Sequence, residues 1–502
     1  MRKSGVLMHI TSLPTQGGFG TMGQDAYAFV DWLKKAGMSL WQVLPIGPTG
    51  YGESPYQSPS THAGNMYMID LTLLIRDGIL NADAEKFHSG AYTSFEDAKA
   101  RKRFALKMSF DQSFDRMELM VDAFTQAHAD IDDYALFMAL KDYFGGKPWL
   151  KWPDVAIRMR EESAMNHYRR ILRDEINFYR FTQYLFHAQW MALKAYANKN
   201  GIQILGDMPI YVAEDSADAW ANPEIFQFDR ERRPVKVAGV PPDYFSEDGQ
   251  LWGNPLYDWK ALKKSGYAWW LKRLKTADER FDIVRVDHFI GFANYYAIRA
   301  GAPNARVGKW EKAPGRSFFF TVKRKMPEID IVAENLGVIS SRVKRLLRFT
   351  GYPGMKVLQF GFDSDAQNPH FPLNITENTV VYTGTHDNDT ALGWWSKASE
   401  KTRAFASENL PARDAVKPQD ANALPERETI ADRMIEAALG SAARIAIIPA
   451  QDILRLGSEA RMNTPGTVGN GNWMWRMTPG ALTDEMAAKM RELNEFYERI
   501  PS

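Results

Sequence analysis

Eight short apolar runs constrain this chain more than any other feature. They are "GVLMHI" (5–10), "LWQVLPI" (40–46), "IQILGDM" (202–208), "FDIVRVD" (281–287), "IDIVAEN" (329–335), "KVLQFGF" (356–362), "TVVYTGTHD" (379–387) and "RIAIIPA" (444–450). None alternates between apolar and polar residues. A strand with one wet face would alternate, so these runs fit parallel strands covered on both faces. Helical patterns lie between many of them, among them "DAYAFVDWLKKAG" (25–37), which stops at Gly37, and "SRVKRLLRFTG" (341–351). Eight strands alternating with helices favour an α/β fold closed as a (β/α)8 TIM barrel over an open sheet. The 502 residues then form a single barrel enlarged by insertions.

Two connections are long enough to be those insertions. Residues 50–200, between the second and third runs, are mainly helical in pattern ("FEDAKARKRFALKMSF", "IDDYALFMALKDYFG", "YRRILRDEINFYRFTQYLFHAQWMALKAYANK"). Residues 210–280, between the third and fourth, carry the Pro- and Trp-rich "VPPDYFSEDGQLWGNPLYDWK". Loops that follow strands build the catalytic face of a barrel, so both insertions are expected there. The stretch "TDEMAAKMRELNEFYERI" puts Met486, Met490, Leu493, Tyr497 and Ile500 on one stripe behind a Thr483 cap. This predicts a closing helix packed on the barrel and no β-rich C-terminal domain.

Composition excludes other classes. A net charge of +1 argues against nucleic acid or an anionic membrane as the main partner. With no Cys there is no disulfide framework, thiol nucleophile or thiolate metal site. The apolar stretch at the N-terminus is too short for a signal peptide, and no apolar window reaches about 18 residues, so a cytoplasmic protein is expected. "GFGTMG" (18–23) matches the G-x-G-x-x-G pattern before a helix, but "TSLPTQG" separates it from the preceding run. A dinucleotide site needs those glycines directly after the strand. No H-E-x-x-H, EF-hand or Walker sequence occurs, so neither a cofactor nor a metal is expected.

The chemistry lies where the runs end. In "FDIVRVDHFIGF" (281–292), Arg285 and Asp287 interrupt residues suited to the interior. Residues i and i+2 share a strand face, so both point inward and upward at the carboxyl end of the fourth strand. An arginine beside an aspartate keeps the carboxylate ionised, whether the pair is structural or catalytic. The pattern recurs: "IVAENLG" places Glu334 at the end of the fifth strand, and "YTGTHDND" places His386 and Asp387 after the seventh. If the barrel forms, these carboxylates converge on one cleft. Paired carboxylates in a cleft are the apparatus of glycoside chemistry. Asp287 suits the nucleophile. Glu334, with an apolar approach and no basic neighbour, suits the acid. Asp387 can hold sugar hydroxyls and stabilise positive charge, with His386 and His288 as hydrogen-bond donors.

These residues sit in segments that together resemble the amylomaltases, or 4-alpha-glucanotransferases, of glycoside hydrolase family 77. The segments include "SGVLMHITSLP", "GYGESPYQSPSTHAGN", "GDMPIYVAEDSADAW", "PPDYFSEDGQLWGNPLYDW", "VRVDHFIGF", "VAENLG", "YPGMKVLQF", "TGTHDNDT" and "RMNTPGTVGNGNWMWR", nearly end to end. One departure is Ile10, where the family pattern has Pro. The resemblance implies a retaining mechanism on α-1,4-glucans, with Asp287 as nucleophile, Glu334 as acid/base and Asp387 as transition-state stabiliser. It implies that Arg285, His386, Asp207 and Tyr56 line the donor sugar subsite. Read as residues alone, Tyr56 either stacks on a sugar or anchors its loop, and Asp207 either binds substrate or caps the next turn. Tyr244, Phe245 and Trp252, beside Gly249 and Gly253, read as a mobile aromatic lid or as a packed loop. Asn463 and Trp473 are candidates for the acceptor wall. The expected substrates are maltooligosaccharides, amylose and related dextrins, with glucose as an acceptor. The sequence gives no oligomeric state.

Overall fold

The fold was analysed in a computed structural model that describes residues 2–81, 94–242, 246–411 and 426–500. Twelve strands are present among them: β1 (Lys3–Leu7), β2 (Leu40–Gln42), β3 (Gln203–Met208), β4 (Lys236–Val240), β5 (Gln250–Pro255), β6 (Ile283–Val286), β7 (Asn294–Arg299), β8 (Gly308–Lys312), β9 (Ile331–Ala333), β10 (Gly354–Val357), β11 (Thr379–Tyr382) and β12 (Ile445–Pro449). Eight of them, β1, β2, β3, β6, β9, β10, β11 and β12, pair in parallel and close into a barrel through the β1–β12 register, where Gly5 faces Ile447. Each of the eight apolar runs supplies one barrel strand.

The two-faced burial explains why the runs do not alternate. Leu7, Leu40, Leu205, Ile283, Val332, Met355, Val380 and Ile447 fill the barrel lumen. Their neighbours Val6, Trp41, Ile204, Val284, Ile331, Val381 and Ile448 face outward into a second core under the helices. Two boundaries differ from expectation. The sixth strand is β10, Gly354–Val357, and Leu358–Phe362 forms a 3-10 turn. That turn reads as strand because Leu358 and Phe362 pack into the outer core. The seventh strand stops at Tyr382, so Thr383–Asp387 form the loop above it.

The connection after β2 is filled by helices Phe95–Ala127, Asp130–Tyr143, Glu162–Ile171 and Arg173–Lys199. The other strands form an antiparallel sheet in the order β5-β4-β7-β8. Because β7 and β8 lie beyond β6, this sheet draws on two connections and is tied directly to the strand that carries Arg285. The last described helix, Asp484–Phe496, is capped by Thr483, whose side chain accepts from the Met486 N–H. It packs on the helix Gln24–Lys35 through buried Met490 and Leu493, and the Trp32 indole donates to the Thr483 carbonyl at 2.9 Å. No helix of the described residues is long and apolar enough to cross a membrane.

Candidate active site

The barrel register sets the first contact. Asp207 on β3 lies directly beside Arg285 on β6. One guanidinium nitrogen, Nη1, stands 2.6 Å from both Asp207 oxygens. The other, Nη2, reaches Asp287 Oδ1 at 3.0 Å. The Nε–H donates to the Met355 sulfur at 3.4 Å. The Tyr56 hydroxyl, arriving from the loop after β2, donates to Asp207 Oδ2 at 2.7 Å. Arg285 is therefore shared between two aspartates, and the one it grips more fully is Asp207.

Glu334 follows β9 and is held by backbone alone. The His288 N–H donates to Oε2 at 2.7 Å and the Leu336 N–H to Oε1 at 2.6 Å. His288 can aim its N–H there because it takes a left-handed conformation, with φ 47° and ψ 45°. Its ring meets Trp252 edge to face, with centroids 4.9 Å apart. Trp252 stands on strand β5, so the aromatic element expected as a loop is a strand at this point. Tyr244 and Phe245 lie outside the described residues.

The wall opposite is built from two loops. Asn463 donates from Nδ2 to Asp387 Oδ1 at 2.6 Å, and its N–H donates to the His386 carbonyl at 3.0 Å. His386 Nε2 lies 3.3 Å from the same Asp387 oxygen. The His386 ring is stacked on Tyr56 with centroids 5.2 Å apart, and Trp473 leans on both rings. Tyr56, Asp207, Arg285, Asp287, His386, Asp387, Asn463 and Trp473 thus form one contact network, and Glu334, His288 and Trp252 form a second, which feels the first through the charge of Arg285.

Burial governs the electrostatics. It pushes Asp287 up to about 8, against the pull of Arg285, with Asp207, Glu334 and Asp387 adding to the rise. It also raises Glu334, against Arg285 and the two backbone donors. The carboxylates of Asp207, Asp287 and Glu334 share the charge of one guanidinium, so their titrations are linked. Sequence reasoning anticipated the rise at Glu334 but not the one at Asp287. His288 is lowered to about 4 by burial. His386 is lowered too, by burial against the pull of Asp387.

Two further residues shape the cleft; both lie in segments that carry the family resemblance, but neither was singled out. Arg461 donates to the Asp387 carbonyl at 2.6 Å and to the Asn463 carbonyl at 2.7 Å, fixing the wall from behind. Tyr211 flanks both Trp252 and His288. Neither sits at a strand end or in a charged pattern.

Comparison with known proteins follows this geometry. Residues 8–483 match the family model described as 4-alpha-glucanotransferase. The chain belongs to the 4-alpha-glucanotransferase family. It is 46% identical to the 4-alpha-glucanotransferase of Thermus thermophilus, across 99% of both chains. It is 43% identical to that of Streptococcus pneumoniae serotype 4, across 99% of this chain and 98% of the relative. Among solved structures, an amylomaltase from Streptococcus agalactiae in complex with acarbose superposes with a TM-score of 0.94 at 41% identity, covering both chains fully. The activity is 4-alpha-glucanotransferase, that of a retaining glycosyl-transferring enzyme acting on α-1,4-glucans.

Proposed function

We propose that Asp287 is the nucleophile, Glu334 the acid/base and Asp387 the transition-state stabiliser of this transfer. In the first step an Asp287 oxygen bonds to the anomeric carbon as the bond to the leaving glucan oxygen breaks. The Glu334 proton passes to that oxygen. In the second step the 4-hydroxyl of an acceptor gives its proton to Glu334 and its oxygen to the anomeric carbon, and the Asp287 ester breaks. Two displacements at one carbon retain its configuration. Burial raises Glu334, which suits a proton donor, and Arg285 at 3.0 Å from Asp287 Oδ1 favours the anion there.

The convergence of the carboxylates that follow β6, β9 and β11 on one cleft around Arg285 carries this reading. Asp207, Arg285 and Tyr56 form a hydrogen-bonded floor suited to the hydroxyls of the donor sugar. His386, Asn463 and Trp473 wall one side, and His288 with Trp252 flank Glu334 on the other. Glucose and short maltooligosaccharides are the acceptors this reading assigns. The test is to quench the enzyme during turnover of α-maltosyl fluoride, digest it and find the sugar mass by peptide mass spectrometry. The peptide bearing Asp287 carries the label on this reading; a label on another carboxylate overturns it.

A further inference from the structure

Away from the cleft, three side chains from separate helices meet. His128 ends the helix Phe95–Ala127, His187 lies within Arg173–Lys199, and Glu279 lies in Ala268–Arg280. One ring nitrogen from each histidine and one carboxylate oxygen lie within 4.8 Å of one another.

The hydrogen bonding around them is informative. His128 Nδ1 is 2.9 Å from the Phe124 carbonyl. A carbonyl only accepts, so Nδ1 carries the proton. In the neutral ring, Nε2 then presents a lone pair to Glu279 Oε1, 3.4 Å away. Two acceptors face each other, and something positive belongs between them. A proton can fill that place, but it leaves His187 without a role. No described residue hydrogen-bonds the His187 ring nitrogens; the ring is held between Phe124 and His128, at centroid distances of 5.1 Å each. The nearby cations make their ion pairs and hydrogen bonds elsewhere, although the charge of Arg280 still acts on Glu279 and His187. Lys194 pairs with Asp282 at 3.1 Å, and Arg280 donates to the carbonyls of His62 and Ala63.

We propose that His128, His187 and Glu279 form a site for a divalent transition-metal ion, with Zn²⁺ the best fit and water completing a tetrahedron. Metal–ligand bonds of about 2.0–2.1 Å give tetrahedral edges of about 3.3–3.4 Å, close to the His128–Glu279 separation. Donation of the second ring nitrogen to a carbonyl is the usual way a metal-binding histidine is fixed in its tautomer. Two imidazoles and one carboxylate favour Zn²⁺ over Mg²⁺ or Ca²⁺. The ion would join two helices of the 50–200 insertion to the helix that leads into β6, so it would strengthen the folded state by binding it alone. Because the three ligands lie on three separate helices, no contiguous motif reveals them, which is why the sequence predicted no metal.

The test uses full-length, tag-free protein dialysed against chelator and titrated with Zn²⁺ by calorimetry. One ion per chain is expected, with a rise in Tm on the order of a few degrees. Co²⁺ in its place should give the intense visible spectrum of tetrahedral coordination. Glu279→Gln, at a surface position that leaves folding intact, and His187→Gln should each weaken Zn²⁺ at least tenfold and abolish that spectrum, while maltotriose turnover stays at the wild-type rate. No saturable binding, or binding unchanged in both variants, overturns the site.

Discussion

The cleft has a floor and a wall, and they are made differently. On the floor, the Asp207 side chain is 0% exposed and that of Arg285 5%. Asp207 and Arg285 are fixed by strand register, Glu334 by two backbone N–H groups. On the wall, the Asp387 side chain is 46% exposed. It is positioned by side chains from the loop that begins at Arg461. That loop turns on left-handed residues, including Asn470 (φ 52°) and Trp473 (φ 66°). Charges on the floor are costly to bury and strongly coupled; those on the wall are screened and adjustable. The floor is therefore suited to bond making, where position and charge must not vary. The wall is suited to admitting sugars of different lengths.

Removing the proposed nucleophile should produce the largest effect. Asp287→Asn cannot form the glycosyl ester, and turnover should fall by many orders of magnitude, as expected when a covalent nucleophile is lost. Binding of maltooligosaccharides, followed by calorimetry, should persist because Tyr56, His386 and Asp387 remain. A variant keeping more than a tenth of the wild-type rate would place the nucleophile elsewhere.

Glu334→Gln should be next. In the proposed reading this residue supplies the proton that an ordinary sugar leaving group needs and fluoride does not. Maltotriose turnover should fall by a factor on the order of 10²–10⁴. The first step with α-maltosyl fluoride should be nearly intact, and the ester should then accumulate for want of a base. Equal losses on both donors in stopped-flow assays would reduce Glu334 to a structural role.

The two histidines beneath the cleft allow a pH comparison. His288, beside Glu334, is lowered to about 4, and His9, under the wall, to about 3, both mainly by burial. Each stays neutral in the folded state while the unfolded chain protonates near its ordinary value of about 6.5. Their contribution to stability is therefore complete above pH 6.5 or so and is lost as pH falls toward 4. For His288 alone the loss by pH 4 is on the order of 3 kcal/mol. Tm should drop across this window, and His288→Gln should flatten the drop. An equal slope in the variant would show that His288 takes up its proton without cost.

Floor and wall also differ in what the sequence reveals. Asp207, Arg285, Asp287 and Glu334 each end a continuous apolar run, and a charge in that setting stands out locally. The grip of Arg285 on Asp207 was not legible, because it depends on the β3–β6 register. Asn463 was a candidate for the acceptor wall, but its pairing with Asp387 and His386 was not legible, since those partners are remote in sequence. Trp252 read as part of a loop because Gly249 and Gly253 flank it; the antiparallel pairing of β5 with β4 overrides that local signal.

A wall variant sharpens the contrast. Asn463→Ala removes the 2.6 Å hydrogen bond to Asp387 Oδ1. Hydrogen bonds to charged groups are worth about 1.5–3 kcal/mol, so kcat/KM should fall roughly tenfold to a hundredfold. Tm should change little, because Asp387 can turn to water. A fall as deep as that of Asp287→Asn would mean that wall and floor act as one unit.

The smallest effect is expected at Trp252, and it concerns what the intermediate reacts with rather than how it forms. The indole stands on β5 with its Nε1–H donated to Gln250 at 3.1 Å and its ring against His288. In the proposed reading it offers a face to the acceptor sugar and keeps water from the Asp287 ester. Trp252→Ala would weaken acceptor binding by about 0.5–1.5 kcal/mol beyond area burial. It would also admit water, so both effects lower transfer relative to hydrolysis. Neither Asp287 nor Glu334 is removed, so their chemistry should persist. Transfer conserves reducing ends, whereas each hydrolytic cut adds one. With maltotriose as donor, the ratio of new reducing ends to glucose transferred should therefore rise severalfold while donor consumption changes little. If both the ratio and the rate stay the same, β5 is scaffold. The preference for sugar over water would then lie with the wall, around Asn463 and Trp473, and the wall would govern both halves of the reaction.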